Sequence, residues 1–163
     1  MSNTHICSQE TIFSTQKIRP DYRKVLYIED HPANLALVGN LLARRLDWKL
    51  LTARDGNLGI TIARTNQPDV ILMDINLPGI SGFEALEILL ACPETAHIPV
   101  IALSSDAFPH QIEKGIKAGF FRYLTKPYKL DHLMGALDDS IYFSLNNCGY
   151  SATNPGEEAT VLT

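Results

Sequence analysis

The sequence predicts an α/β fold, and three observations carry that reading. Short all-apolar runs recur along the chain, each with the composition of a strand covered on both faces. Between them lie stretches whose apolar residues follow helical spacing. The runs end in charged or hydroxyl residues, the groups expected where a parallel sheet opens at the carboxyl ends of its strands. Such alternation of strand and helix text is the signature of βαβ units around a parallel sheet.

Five units fit. The first run, Val25 to Ile28, delivers Glu29 and Asp30. Pro32 then suits the first position of a helix whose apolar face is Leu35, Val38 and Leu42, with Leu41 and Leu46. Residues 49–53 read as the second strand. The helix after it, residues 57–65, has the weakest text, because Gly59 costs about 1 kcal/mol relative to alanine. A third run, Val70 to Met73, delivers Asp74 and the loop Ile75-Asn76-Leu77-Pro78-Gly79. Ser81 with Glu84 three residues on is a capping box, and the helix it opens is expected to bury Phe83, Leu86 and Leu90. Val100 to Leu103 delivers Ser104, Ser105 and Asp106, and Ile112, Ile116 and Gly119 punctuate a fourth helix. The last run, Phe120 to Leu124, delivers Thr125, Lys126 and Pro127. Leu130, Leu133, Met134, Leu137 and Ile141 then mark a fifth helix, with Met134 as core filler.

A chain of 163 residues has a one-domain length and can bury a core without metal or disulfide support. Residues 1–23 read as a flexible arm, 24–143 as the domain, and 144–163 as a disordered tail, rich in turn formers and poor in large apolar groups. The net charge of -4 argues against a nucleic-acid partner, whose phosphates call for a basic surface. No apolar stretch approaches the ~20 residues of a membrane span, and the first residues lack the order of a signal peptide. The expected location is the cytoplasm, without a membrane partner. Cys7, Cys92 and Cys148 are odd in number and lack metal-ligand spacing, so they read as reduced thiols.

With parallel strands, Glu29, Asp30, Asp74, Ser104 and Lys126 converge on one edge of the sheet. Singly, each has a bland alternative: a strand-end aspartate can cap a turn, a serine can satisfy one, and a lysine can be a surface residue. Together, the acidic pair after strand 1, Asp74 after strand 3, Ser104 after strand 4 and Lys126-Pro127 after strand 5 resemble the receiver domain of two-component response regulators. The loop from Asp74 to Gly82 is itself similar to that family's. The resemblance spans residues 24–143, about three quarters of the chain, and is nearest in text to receivers attached to hybrid sensor kinases.

That resemblance implies a flavodoxin-like three-layer (βα)5 sandwich with a parallel five-stranded sheet of order 2-1-3-4-5. It implies a phosphoacceptor switch rather than an enzyme, taking a phosphoryl group onto Asp74 from a histidine kinase or histidine phosphotransfer protein. Three acids in one site carry -3, which a divalent cation and Lys126 would answer. Magnesium, with Mn²⁺ as an alternative, suits such oxygen donors. The implied ligands are Glu29, Asp30, Asp74 and the backbone carbonyl of Asn76, with Asp30 the closer acid and Glu29 partly reached through water. Lys126 and Ser104 would hold the phosphoryl group, and the Lys126–Pro127 peptide is expected to be cis. Tyr123 matches the family's switch aromatic, although half-buried packing on an edge strand explains a tyrosine equally simply. Asn76 and Asp106 would tune dephosphorylation. His31 departs from the family pattern; a loop or helix-start role is favoured over contact with the metal's water shell. Output is expected through the surface of the fourth helix, fifth strand and fifth helix toward a protein target, from a monomer or weak dimer. A small aspartate-nucleophile phosphohydrolase is the rival reading, but Asn76 stands where its second acid would be needed. A phosphorylation-independent interaction module would not require the full set of site residues.

Overall fold

The structure, a computed structural model, describes residues 22–146. The expected N-terminal arm lies outside the described residues up to residue 21, and the expected tail from residue 147 onward, as do Cys7 and Cys148. The elements alternate strictly: β1 (Arg23–Ile28), α1 (Pro32–Leu42), β2 (Trp48–Ala53), α2 (Gly56–Asn66), β3 (Val70–Asp74), α3 (Gly82–Ala91), β4 (Val100–Ser104), α4 (Pro109–Ala118), β5 (Arg122–Thr125) and α5 (Leu130–Asn146). All strand pairs are parallel, in the order β2-β1-β3-β4-β5.

Side-chain alternation divides the core between the two faces of the sheet. Leu26 and Ile28 of β1, with Ile71 and Met73 of β3, meet Ile60 and Ala63 of α2 and Ala85, Leu86 and Leu89 of α3. Val25 and Tyr27, with Val70 and Leu72, meet Val38 and Leu42 of α1 and Leu133, Leu137 and Ile141 of α5. Both β3 and β4 are buried along their whole length, so their ends, Asp74 and Ser104, enter the site from the interior rather than from a loop tip.

Two expected core residues are placed otherwise. Leu46 is 97% exposed, because α1 ends at Leu42 and the chain turns, with the Trp48 amide donating to Arg45 O; Trp48 fills the core in its place. Leu90 is 39% exposed, because the buried stripe of α3 runs through Ala85, Leu86 and Leu89 and is therefore turned one residue away from it. The weak text of α2 nonetheless forms a helix. Asp55 caps it by accepting from Leu58 N at 2.8 Å, and Gly59 lies so close to β1 that a Cβ there would stand 2.8 Å from Ile28 Cγ1. The residue that weakens the helix is the one that lets it approach the sheet.

Candidate phosphoacceptor site

β1, β3 and β5 end at the same edge, and their last turns bring Glu29, Asp74 and Lys126 together. The Lys126 ammonium donates to Glu29 Oε2 at 2.9 Å and also to Asp74 Oδ2. It bridges two carboxylates that come from distant parts of the chain, and both are buried: Glu29 is 1% exposed and Asp74 6%. The lysine is itself held by its backbone, whose amide donates to Ser104 O at 2.7 Å, and its peptide bond to Pro127 is cis.

Each carboxylate has further donors. Asp74 Oδ1 accepts from Asn76 N at 2.7 Å. Glu29 accepts the Tyr27 hydroxyl at 2.8 Å on Oε2 and the His31 amide at 3.2 Å on Oε1. Burial is the largest influence on Glu29 and pushes its carboxyl upward, but Lys126, Tyr27 and His31 together outweigh it and hold the group below the usual range. For Asp74, burial again leads and the neighbouring Glu29 charge adds to it, so its carboxyl lies above the usual range despite Lys126 and Asn76. Burial lowers Lys126, yet Asp74 and Glu29 reverse this and leave its ammonium firmly protonated. Tyr27 is pushed far above its ordinary value by burial first, then by Tyr128 and Glu29, so it remains a hydroxyl donor.

The other expected residues ring this clasp without joining it. Asp30 is exposed and outside the Lys126 bridge. Ser104 is buried at the end of β4, where its Oγ accepts from Asp106 N at 3.0 Å. Asn76 and Asp106 line an open depression at the mouth of the site with Ser105, Ala107 and Phe108. Tyr123 is half-buried on β5, its ring edge-on to Phe120 at 6.4 Å and pressed against α4 at Gly115, where a Cβ would stand 2.7 Å from Tyr123 Cε2. His31 contributes its backbone: it is the N-cap of α1 without a side-chain cap bond.

Three residues escaped the sequence reading. Tyr27 was hidden inside an apolar run, although a phenol on a doubly covered strand must find a partner. Gly82 opens α3 against the loop after β3: its amide donates to Ile75 O at 2.9 Å, and a Cβ would stand 2.6 Å from Asp74 O. Gly115 makes the slot for Tyr123. Neither glycine had a local signal, because what each approaches is distant in sequence.

Among the described residues, no group of three or more His, Cys, Asp and Glu is already gathered to hold a metal ion. The donor chemistry nonetheless fits one. Two buried carboxylates share a single ammonium, the exposed Asp30 directly follows Glu29 in the chain, and the Asn76 carbonyl lies on the loop after Asp74, oxygen donors of the kind that suit a hard divalent cation.

A doubly wound parallel sheet with a carboxylate–ammonium clasp at its carboxyl edge defines the class of protein. The chain belongs to the response regulator receiver domain family, whose model matches residues 25–138. It is 32% identical over 115 residues to protein PilH of Pseudomonas aeruginosa, covering 71% of this chain and 94% of PilH. It is 35% identical over 113 residues to the signal transduction histidine-protein kinase BarA of Escherichia coli, covering 69% of this chain and 12% of BarA. Among solved structures it is similar to the receiver domain of sensor histidine kinase PA1611 of Pseudomonas aeruginosa, which has a magnesium ion coordinated in its active site cleft. That likeness has a TM-score of 0.68 and 30% identity, and covers 74% of this chain and 98% of the other. The protein is thus a receiver domain of two-component signalling. No helix among the described residues is long and apolar enough to cross a membrane.

Proposed function

We propose that Asp74 accepts a phosphoryl group from a phosphohistidine on a histidine kinase or a histidine phosphotransfer protein, in a Mg²⁺-dependent reaction. The observation that carries this reading is the Lys126 clasp, which holds Asp74 buried, oriented and paired at a strand end. An Asp74 oxygen attacks phosphorus as the donor's P–N bond breaks. The bonding pair returns to the imidazole, which takes up a proton, and an acyl phosphate remains on Asp74. Phosphoryl transfer depends chiefly on positioning and charge neutralisation. Lys126 supplies one positive charge and moves from the carboxylates toward a phosphoryl oxygen, while Ser104 Oγ–H is the second donor. Glu29, Asp30, Asp74 and the Asn76 carbonyl would hold Mg²⁺, which when bound neutralises the acids and polarises the phosphoryl oxygens. Asn76 and Asp106 line the mouth and would set the rate at which water removes the phosphoryl group.

The signal leaves through α4, β5 and α5 toward a protein target, with Ser104 and Tyr123 as the relay. Moving a two-state equilibrium from 1:99 to 99:1 takes about 5.5 kcal/mol. Charge-assisted bonds to one phosphoryl group supply part of that, and the partner's own preference for one state completes it. Incubation with a small acyl phosphate and Mg²⁺, followed by mass mapping, should place the label on Asp74. The Asp74→Asn variant should take none; undiminished labelling there overturns the assignment.

A further inference from the structure

Tyr27 is a fully buried residue near the end of β1, and its hydroxyl is spent on Glu29. Among the described residues, Glu29 Oε2 therefore has two side-chain donors, Tyr27 at 2.8 Å and Lys126 at 2.9 Å, while its Oε1 has only the longer His31 amide. The two side-chain donors are not equivalent. Lys126 sits on a flexible stem and is shared with Asp74; the Tyr27 ring is locked in the core among residues of β3, α1 and α5. We propose that Tyr27 is a positioning residue for phosphoryl transfer: its hydroxyl keeps Glu29 oriented and hydrogen-bonded when Lys126 leaves for the phosphoryl group. The inference rests on the phosphoacceptor reading of Asp74.

The physical reason is that a buried carboxylate deprived of its donors is strongly destabilised. Without Tyr27, Lys126 would be the sole side-chain donor to Glu29 among the described residues and would be released reluctantly. With Tyr27 in place, Glu29 retains a fixed partner throughout the transfer, and the lysine is free to follow the charge.

Tyr27→Phe removes the hydroxyl and leaves the ring. Labelling of Asp74 by a small acyl phosphate at saturating Mg²⁺ is expected to slow about tenfold, the scale of one lost hydrogen bond to a charged group. Affinity for Mg²⁺ alone, measured calorimetrically without a phosphodonor, should fall severalfold, because Glu29 is then held by Lys126 against the cation. In a Glu29→Gln background the same substitution should have little further effect on either quantity, whereas a merely structural tyrosine would give multiplying losses. Unchanged labelling and Mg²⁺ affinity in Tyr27→Phe, or losses that multiply with Glu29→Gln, overturn the inference while leaving Asp74 the acceptor. If the wild type takes no label, the acceptor reading falls, and the Mg²⁺ titrations alone decide whether Tyr27 acts through Glu29. Should Tyr27→Phe fail to fold, the wild type provides the test: on addition of beryllofluoride with Mg²⁺, the Lys126 ammonium resonance should shift while the Tyr27 Cζ resonance stays. A Tyr27 resonance that moves as far as that of Lys126 overturns the proposal.

Discussion

Lys126→Met removes the ammonium that joins Glu29 and Asp74 while keeping the reach of the side chain. Two carboxylates, 1% and 6% exposed, then face each other without a cation. Removing one partner of a buried ion pair typically costs about 3–5 kcal/mol. The Lys126 side chain is 20% exposed, so water screens part of the interaction, and the lower end of that range, about 3 kcal/mol at pH 8, is the expectation. The loss should depend on pH. Two like charges in a buried site drive one carboxyl to hold a proton well above its unfolded value. A raised folded-state value contributes stability that is fully present below the unfolded pKa and is lost as pH rises through the folded one. The variant's deficit should therefore shrink between pH 8 and pH 5.5, by up to about 1.4 kcal/mol per pH unit below the folded-state value. The wild type behaves differently. Lys126 is raised, so its contribution persists through neutrality and is lost only at alkaline pH, whereas Glu29 is lowered and its contribution is lost in acid as pH falls through its depressed value. Asp74, being raised, opposes Glu29 there. Urea unfolding of both proteins at pH 5.5 and 8, with divalent cations chelated, measures these differences. A deficit under about 1 kcal/mol at pH 8, or one that does not shrink at pH 5.5, would refute the reasoning that the clasp holds two buried charges.

Two further substitutions probe close approaches. Gly82→Ala places a Cβ 2.6 Å from Asp74 O and 2.9 Å from Ile75 Cα, both backbone atoms that cannot rotate aside. Unfolding should show a loss of about 1–3 kcal/mol, with slower labelling of Asp74; wild-type behaviour in both assays would mean that the loop after β3 tolerates displacement. Gly115→Ala fills the slot against which the Tyr123 ring lies, and that half-buried ring can swing outward. Stability should stay within about 1 kcal/mol, since alanine favours the helix by a similar amount, while the proton contacts between Tyr123 and Phe120 disappear; persistence of those contacts would show that α4 yields instead of the ring.

Much of this protein was legible along the chain because strand and helix signals are local. Runs such as Val70 to Met73 are short, apolar and closed by a charge, so both the strand and the residue it delivers could be read together. The cap at Ser81 was equally plain, its two reciprocal bonds lying within four residues. Leu46 and Leu90 were misplaced because a helical face is defined only once the helix end and its rotation against the sheet are known.

The site divides in the same way. The sequence alone determined which groups reach the open edge of a parallel sheet: Glu29, Asp30, Asp74, Ser104 and Lys126. It could not determine which of the acids Lys126 would clasp, because that depends on the packed directions of strand ends brought together from distant parts of the chain. The tertiary structure selected Glu29 and Asp74 and left Asp30 outward. It also joined Tyr27 to Glu29, two residues apart and therefore on the same side of the extended chain as it leaves β1, a pairing permitted by alternation but made consequential only by burial. Local chemistry is written in the order of residues, whereas the sharing of one ammonium between two carboxylates exists only when β1, β3 and β5 stand in the same sheet.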